Sequence, residues 1–205
     1  CMVHHLLEHL TTDWQRAVGN VRAAAANVWE RPAFRHAVDH GPAHADRIVA
    51  LLDGLTEGLM ARQEHALAQE EIYILLAAVY LHAIGLQDEK TEPDPAMRWT
   101  NYPALGAELV YRAIESPEDA VRLGLVDDPG LLEVIALAVA GHREMDYPAS
   151  EYDNFLLGSA TVRPRLLTAL LHLADDLDLD SRRVNLEQLK LLAATPEQAL
   201  DWWLH

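Results

Sequence analysis

The sequence predicts an all-α fold, and three observations lead to this class. Helical periodicity dominates the chain, strand-like alternation is scarce, and two apolar runs, "EEIYILLAAVYLHAIGL" and "LLEVIALAVAGH", are typical of buried helices. Half of the 205 residues are hydrophobic, which is enough to build a large core. A chain of this length accommodates one domain, and its sequence contains no repeat and no convincing linker.

Three helices are predicted in the first part of the chain. The first covers residues 3–29, an amphipathic stretch with the alanine-rich "RAAAANVW" near its end. Pro42 suits the first turn of the second helix, which runs to about Leu59. The third covers residues 69–84 and is apolar nearly all round, so it should be central, with Gly85 placed to end it.

The rest of the chain begins with an acidic, proline-bearing loop over residues 86–97. Residues 144–160 are predicted to be irregular, and the strongly apolar stretch 162–178 is predicted to be a helix. The other predicted helices run from Tyr102 to Ile114, from Pro117 to Leu123, over the buried run 131–141 that Pro129 and Gly130 open, and over 196–205.

The composition excludes several functions. The 32 acidic and 16 basic residues give a formal net charge of −16, which argues against a long nucleic acid as partner because phosphate binding depends on Lys and Arg. No segment is read as a membrane span, and the first 20 residues lack a signal-peptide pattern. The single cysteine, Cys1, cannot form an internal disulfide, which predicts a reducing, cytoplasmic location.

Four polar sites interrupt the apolar pattern near predicted helix ends. Each alone is more typical of a structural role, such as a helix cap, a hydrogen-bonded core histidine or a solvated helix end. Together they suit a divalent ion, since imidazoles and carboxylates from three helices can converge in a bundle core. The sites are His40 with His44, His82, His142, and the acidic run of Asp175, Asp176, Asp178 and Asp180.

Three motifs, taken in order, carry a resemblance to a known family. They are "DHGPAHADRIVALL", "EEIYILLAAVYLHAIGL" and "RPRLLTALLHLADDLDLDSRRV", with "MRWTNYPALGAELV" between the last two. They resemble the first-histidine helix, the central His-Asp helix and the last metal-binding helix of the HD-domain superfamily of metal-dependent phosphohydrolases. The resemblance covers about residues 39–184 and implies an HD-like helical bundle, with residues 1–205 forming one domain.

The resemblance implies a role for each matching residue. His44 is the expected first metal ligand, His82 the second and Asp175 the last. The implied cofactor is a divalent ion, whether Mn, Mg, Ni, Zn or Fe. His142 matches a histidine near the metal or the substrate phosphate, His40 and Asp176 are possible accessory residues, and Arg98 and Arg143 are candidates for binding phosphate.

The main departure from the family pattern is Ala83, which stands where the family's paired aspartate follows the histidine. A missing ligand removes a metal-binding oxygen and should impair the site at least as much as a missing outer partner. Two explanations stay open: an inactivating substitution, or a natural change in a domain that only binds. The intact His44, His82 and Asp175 favour the first. A second departure is the pair Asn101 and Tyr102, where related sequences often carry histidine, which argues against a second ion.

The activity that the resemblance implies is metal-dependent hydrolysis of a nucleotide or another small phosphoester. The alternative is a catalytically dead HD-fold sensor or interaction module that binds a nucleotide or a protein partner, and a purely structural helical domain is a third reading. The sequence does not indicate an oligomeric state. Its ending "DWWLH" leads us to expect a longer parent chain with further domains.

Overall fold

The computed structural model describes residues 5–30, 39–146 and 148–179, and their regular secondary structure is helical apart from one small hairpin. The described strands are β1 Phe155–Leu157 and β2 Ala160–Val162, and the short 3₁₀ helices are Ile84–Gln87 and Ser150–Tyr152. This architecture confirms the predicted all-α class and is that of an HD-like bundle. The α-helices are α1 His5–Glu8, α2 Thr12–Trp29, α3 Pro42–Met60, α4 Gln69–Leu81, α5 Pro95–Glu115, α6 Pro117–Arg122, α7 Pro129–Gly141 and α8 Pro164–Leu177.

Helix α4 is the central helix, as its apolar sequence predicts. Every residue from Glu71 to Leu81 is buried, and the helix packs against α2, α3, α7 and α8. The stretch Gln69–Gln87 is long and apolar enough to cross a membrane by length and composition, but 89% of its apolar window is buried inside the fold. Burial in the core accounts for its hydropathy without a membrane.

The N-terminal region departs from the single helix predicted over residues 3–29. Its described part contains two helices, α1 and α2, separated at residues 9–11. Leu6 and Leu10 are both buried, and α1 packs against α3, where the Leu6 amide donates to Asp53. Thr11 has extended backbone and donates its amide to Gln69 Oε1, while the Gln15 side chain donates to the carbonyl oxygens of Leu7 and Leu10. Side-chain hydrogen bonds thus replace the backbone bonds of the continuous helix that the sequence favours.

Helix α5 begins seven residues earlier than the predicted start at Tyr102. Pro95 occupies its first turn, and the Asp94 side chain accepts hydrogen bonds from the amides of Ala96 and Met97. The prediction treated these residues as the end of an acidic loop, although Asp-Pro is also a helix-start signal. Asp128 caps α7 and Ser116 caps α6 in the same way.

Residues 144–160 are more ordered than the sequence predicts. Strands β1 and β2 pair in antiparallel register, with Leu157 opposite Ala160. The two-residue turn between them places Gly158 at φ +60°, a conformation that glycine adopts without steric cost. Each strand has only three residues, which is too short for alternation to be recognised in the sequence. The helix predicted over 196–205 lies outside the described residues.

Gly85 allows the 3₁₀ helix that follows α4 to lie directly against α5. A Cβ atom at this position would stand 2.2 Å from the carbonyl oxygen of Tyr102 and 2.6 Å from the amide nitrogen of Gly106, so a side chain does not fit. The prediction that Gly85 ends the central helix is wrong, since α4 ends at Leu81 and Gly85 lies within the following 3₁₀ helix. Its role is close backbone approach, which brings His82 and Tyr102 into one region.

A buried ion pair joins the start of α4 to the start of α8. Arg163 donates to Glu71 Oε1 at 2.8 Å and Oε2 at 2.7 Å, and Glu71 is 1% exposed. Arg163 also donates to the carbonyl oxygens of His65 and Ala66. Two of these contacts pair the buried carboxylate and two bind the backbone before α4, and together they set the position of α8 along α4.

Candidate metal centre

Two histidines and one aspartate from three helices meet at one end of the bundle. His44 lies in the first turn of α3, His82 follows the last residue of α4, and Asp175 lies in the last turn of α8. One ligand atom from each lies within 4.8 Å of the other two. The structure therefore brings together the three side chains that the resemblance implied as metal ligands.

Five aromatic rings form a closed circuit at this end of the bundle. Neighbouring ring centroids are 5.5 Å apart for His40 and His44, 5.1 Å for His44 and His82, and 5.1 Å for His82 and His142. Tyr102 closes the circuit, at 5.4 Å from His142 and 6.4 Å from His40. The three inner rings, those of His44, His82 and His142, are at most 1% exposed.

His82 presents an unprotonated nitrogen to the centre. Its Nδ1–H donates to the carbonyl oxygen of Val79 at 2.7 Å, so in the neutral ring Nε2 carries the lone pair. This Nε2 atom is buried and has no hydrogen-bond partner among the described residues. Burial lowers the pKa of His82 to about 3, against the partly compensating field of Asp175. The imidazole is therefore neutral at physiological pH, which is the form that binds metal.

His44 lies between two carboxylates. Its Nδ1 is 2.6 Å from Asp178 Oδ2 and donates its proton there, while its Nε2 is 3.0 Å from Asp175 Oδ1. In the neutral ring, Nε2 and the Asp175 oxygen are both acceptors and cannot bond to each other. This close approach needs a proton or a metal cation shared by the two atoms.

The charges around the centre keep its carboxylates ionised. Burial by itself would raise the pKa of Asp175, but the neighbouring imidazoles, above all that of His44 at 3.0 Å, outweigh it, so the pKa is lowered. The same balance holds for Asp178, where burial is outweighed by His44 and Arg47. Arg47 Nε lies 3.1 Å from both oxygens of Asp178. An ionised Asp178 that accepts from His44 is a typical outer partner of a metal-binding histidine.

The ligand set fits a divalent ion. Two ligand atoms at right angles about 2.1 Å from an ion stand about 3.0 Å apart, and the His44 and Asp175 atoms are separated by 3.0 Å. Ligand atoms on opposite sides of such an ion stand about 4.2 Å apart, so the widest separation of 4.8 Å requires only a slight contraction. The orphaned Nε2 atom of His82 supplies a third donor. Imidazole with carboxylate suits several divalent ions, so the ligands do not select one metal.

The other candidate residues differ in their burial and in their contacts near this centre. His142 joins the ring circuit, and its Nε2 accepts from the Tyr102 hydroxyl at 3.2 Å, while His40 is half-buried at the edge of the circuit. The exposed Arg143 places its guanidinium 5.7 Å from the centre of the Tyr102 ring. Arg98 is buried in the first turn of α5.

Asp176 and Ala83 are the remaining candidate positions. The Asp176 side chain is 71% exposed and pairs with His172 at 3.1 Å, so it points away from the ligand group. Ala83 directly follows His82 and is 2% exposed, in a small apolar cluster with Leu86 and Tyr102. The position of the family's paired aspartate therefore lies inside the protein, beside the ring circuit.

Sequence reasoning missed the outer partners of the centre. Asp178 was grouped with its acidic neighbours, and Arg47 was not singled out at all. The spacing offered a signal for Arg47, which follows His44 by three residues and so shares its face of α3, whereas Asp178 lies just beyond the end of α8. Tyr102 was noted only as a departure from histidine, and its contact with His142 depends on how α5 packs against α7.

An all-α bundle that gathers two histidines and one aspartate from three helices defines an HD-type domain. A comparison with protein families matches residues 32–205 to the HD-CE family, which is an HD-type domain family, and the chain belongs to it. Comparisons with curated proteins and with solved structures gave no match.

Proposed function

We propose that the chain is a metal-dependent phosphohydrolase domain that acts on a nucleotide or another small phosphoester, and that Ala83 impairs this form. The observation that carries the proposal is the convergence of His44, His82 and Asp175 with metal-ready donor atoms. A divalent ion held by these residues would supply positive charge to polarise a phosphoryl oxygen and to lower the pKa of an attacking water. The net charge of −16 favours a small substrate over a long nucleic acid, and the single cysteine suits a cytoplasmic setting.

The chain's own residues have distinct tasks in this proposal. Asp178 holds the His44 ring with Nδ1 protonated, and Val79 does the same for His82, so both Nε2 atoms face inward. Arg143 lies at the surface beside the ring circuit, where its guanidinium can bind a phosphate oxygen. His142 accepts from Tyr102 and is placed to exchange a proton through that hydroxyl.

The test is to restore a carboxylate at the family position. Ala83→Asp should gain hydrolysis of a nucleotide and cyclic-nucleotide panel in Mn²⁺, Mg²⁺ or Ni²⁺, and the matched control Ala83→Asn has the same size without the charge. The double variant Ala83→Asp, His82→Ala should be inactive. Thermal unfolding of each variant shows whether the buried position accepts the new side chain. A folded Ala83→Asp protein without turnover in any metal would refute the hydrolase proposal.

A second candidate is a sensor that binds a phosphorylated ligand or a protein partner without turnover. The missing carboxylate favours it, and so does the enclosure of the centre, where His82 and His142 are each 1% exposed. Its signature is ligand-dependent stabilisation without product. A ligand at a hundredfold excess over its Kd would raise the free energy of unfolding by about 2.7 kcal/mol.

A further inference from the structure

The centre contains two histidines with the same local geometry. His82 and His142 each directly follow a core helix, and each Nδ1 lies 2.7 Å from the carbonyl oxygen three residues earlier. Both side chains are 1% exposed, and their rings lie 5.1 Å apart. Each ring therefore presents Nε2 as its acceptor atom.

The two histidines differ at Nε2. That atom of His82 has no hydrogen-bond partner among the described residues, whereas that of His142 accepts from the Tyr102 hydroxyl at 3.2 Å. We propose that Tyr102 keeps His142 out of the metal's coordination sphere, so that the centre holds one ion on His44, His82 and Asp175. This inference rests on the metal centre of the proposed function and adds its stoichiometry and the residue that sets it.

The surroundings of Tyr102 hold the phenol in this position. Its side chain is 3% exposed, and its backbone lies against Gly85, where no side chain fits. The guanidinium of Arg143 lies over its ring. For His142 to bind an ion, its Nε2 would have to give up the phenol proton, and the buried hydroxyl would lose this acceptor.

The decisive experiment measures Zn²⁺ and Ni²⁺ affinity by chelator competition, together with the number of ions per chain. The unaltered chain should bind one ion. His142→Ala should change the affinity by less than threefold, and His142→Gln is the second choice if the alanine variant does not fold. Tyr102→Phe removes only the hydroxyl, so it should raise the affinity at least tenfold or add a second ion. The double variant Tyr102→Phe, His142→Ala should lose that gain.

The control is His172→Ala, which removes a histidine outside the ligand group and should leave the affinity unchanged. A tenfold or greater loss on His142→Ala, or two ions in the unaltered chain, would overturn the inference and leave the proposed function standing. A Tyr102→Phe variant that binds metal as the unaltered chain does would overturn it as well. No ion bound by any variant would overturn both.

A metal-free measurement tests the hydrogen bond on which the inference rests. Long-range ¹H–¹⁵N NMR spectra should show His82 and His142 with the proton on Nδ1. Tyr102→Phe should shift the Nε2 resonance of His142 and leave that of His82 in place. An unmoved His142 resonance would overturn the inference without reference to any metal.

Discussion

Replacing Asp178 by asparagine should weaken metal binding at the centre without removing any ligand. The carboxylate accepts the His44 Nδ1–H at 2.6 Å and the Arg47 Nε–H at 3.1 Å, and it is 4% exposed. Asparagine has the same shape and keeps one acceptor oxygen, but it loses the negative charge that makes His44 a stronger donor to the ion.

The magnitude follows from the type of hydrogen bond. A bond to a charged acceptor contributes about 1.5–3 kcal/mol and a neutral one about 0.5–1.5 kcal/mol, so the exchange should cost about 1–2 kcal/mol. Each 1.4 kcal/mol is a factor of about ten in affinity. The expected loss is therefore about 5–30-fold, which overlaps the lower part of the roughly 10–100-fold loss that is typical when the outer partner of a metal-binding histidine is removed.

The assay is chelator competition with Zn²⁺ or Ni²⁺ at constant pH, alongside thermal unfolding of the metal-free protein. The matched control is Asp176→Asn, which makes the same charge change two residues away on a side chain that is 71% exposed and faces His172. We expect a loss at Asp178 and no change beyond twofold at Asp176. Equal affinities in the two folded variants would refute the role assigned to Asp178.

Two further predictions concern the scaffold. Gly85→Ala should lower the free energy of unfolding by about 3 kcal/mol or more, because the added Cβ meets backbone atoms. The control Gly54→Ala, in open space, should be neutral or stabilising. Equal melting temperatures of the two variants would contradict this prediction. Burial raises the pKa of Tyr73 to about 12, so its stabilisation is present below pH 10 and lost as the pH rises to about 12. Tyr73→Phe should therefore lose less stability over this interval, measured by urea unfolding at pH 8 and 11.5, although it removes the acceptor of the Val126 amide. A wild-type slope in the variant would refute the assignment.

The long apolar helices of this chain were predictable because the hydrophobic pattern of their sequences matches the faces that the fold buries. The sequence of α4 is apolar on every side, and the structure buries all of it from Glu71 to Leu81. Pro42, Pro129 and Asp128 mark helix starts by local chemistry alone. Such helix-start signals depend only on residues adjacent in the chain, so one sequence is enough to detect them.

The errors arose where distant contacts decide the local structure. At the break between α1 and α2, the Thr11 amide bonds the side chain of Gln69, 58 residues away, and α1 packs against α3; the helical period of the sequence predicts neither contact. Gly85 carries a steric requirement set by α5, which begins ten residues later.

The same difference between local signals and distant contacts applies to the candidate site. His44, His82 and Asp175 were found through motif order, which a sequence contains. Asp178 and Tyr102 act through contacts with His44 and His142, at separations of 134 and 40 residues. A sequence without coordinates provides no distance between these side chains, so their roles could not be assigned from it.

Three helices point their carboxyl ends at the ring circuit, since His82 follows α4, His142 follows α7 and Asp175 lies in the last turn of α8. Each such end carries a partial negative charge of about half an elementary unit from its aligned peptide dipoles. The amino end of α3, where His44 lies in the first turn, carries the opposite partial charge and offsets one of the three. The remaining field attracts a cation and repels a phosphate, so the direction in which the helices run favours a bound ion over a phosphorylated ligand at this end of the bundle.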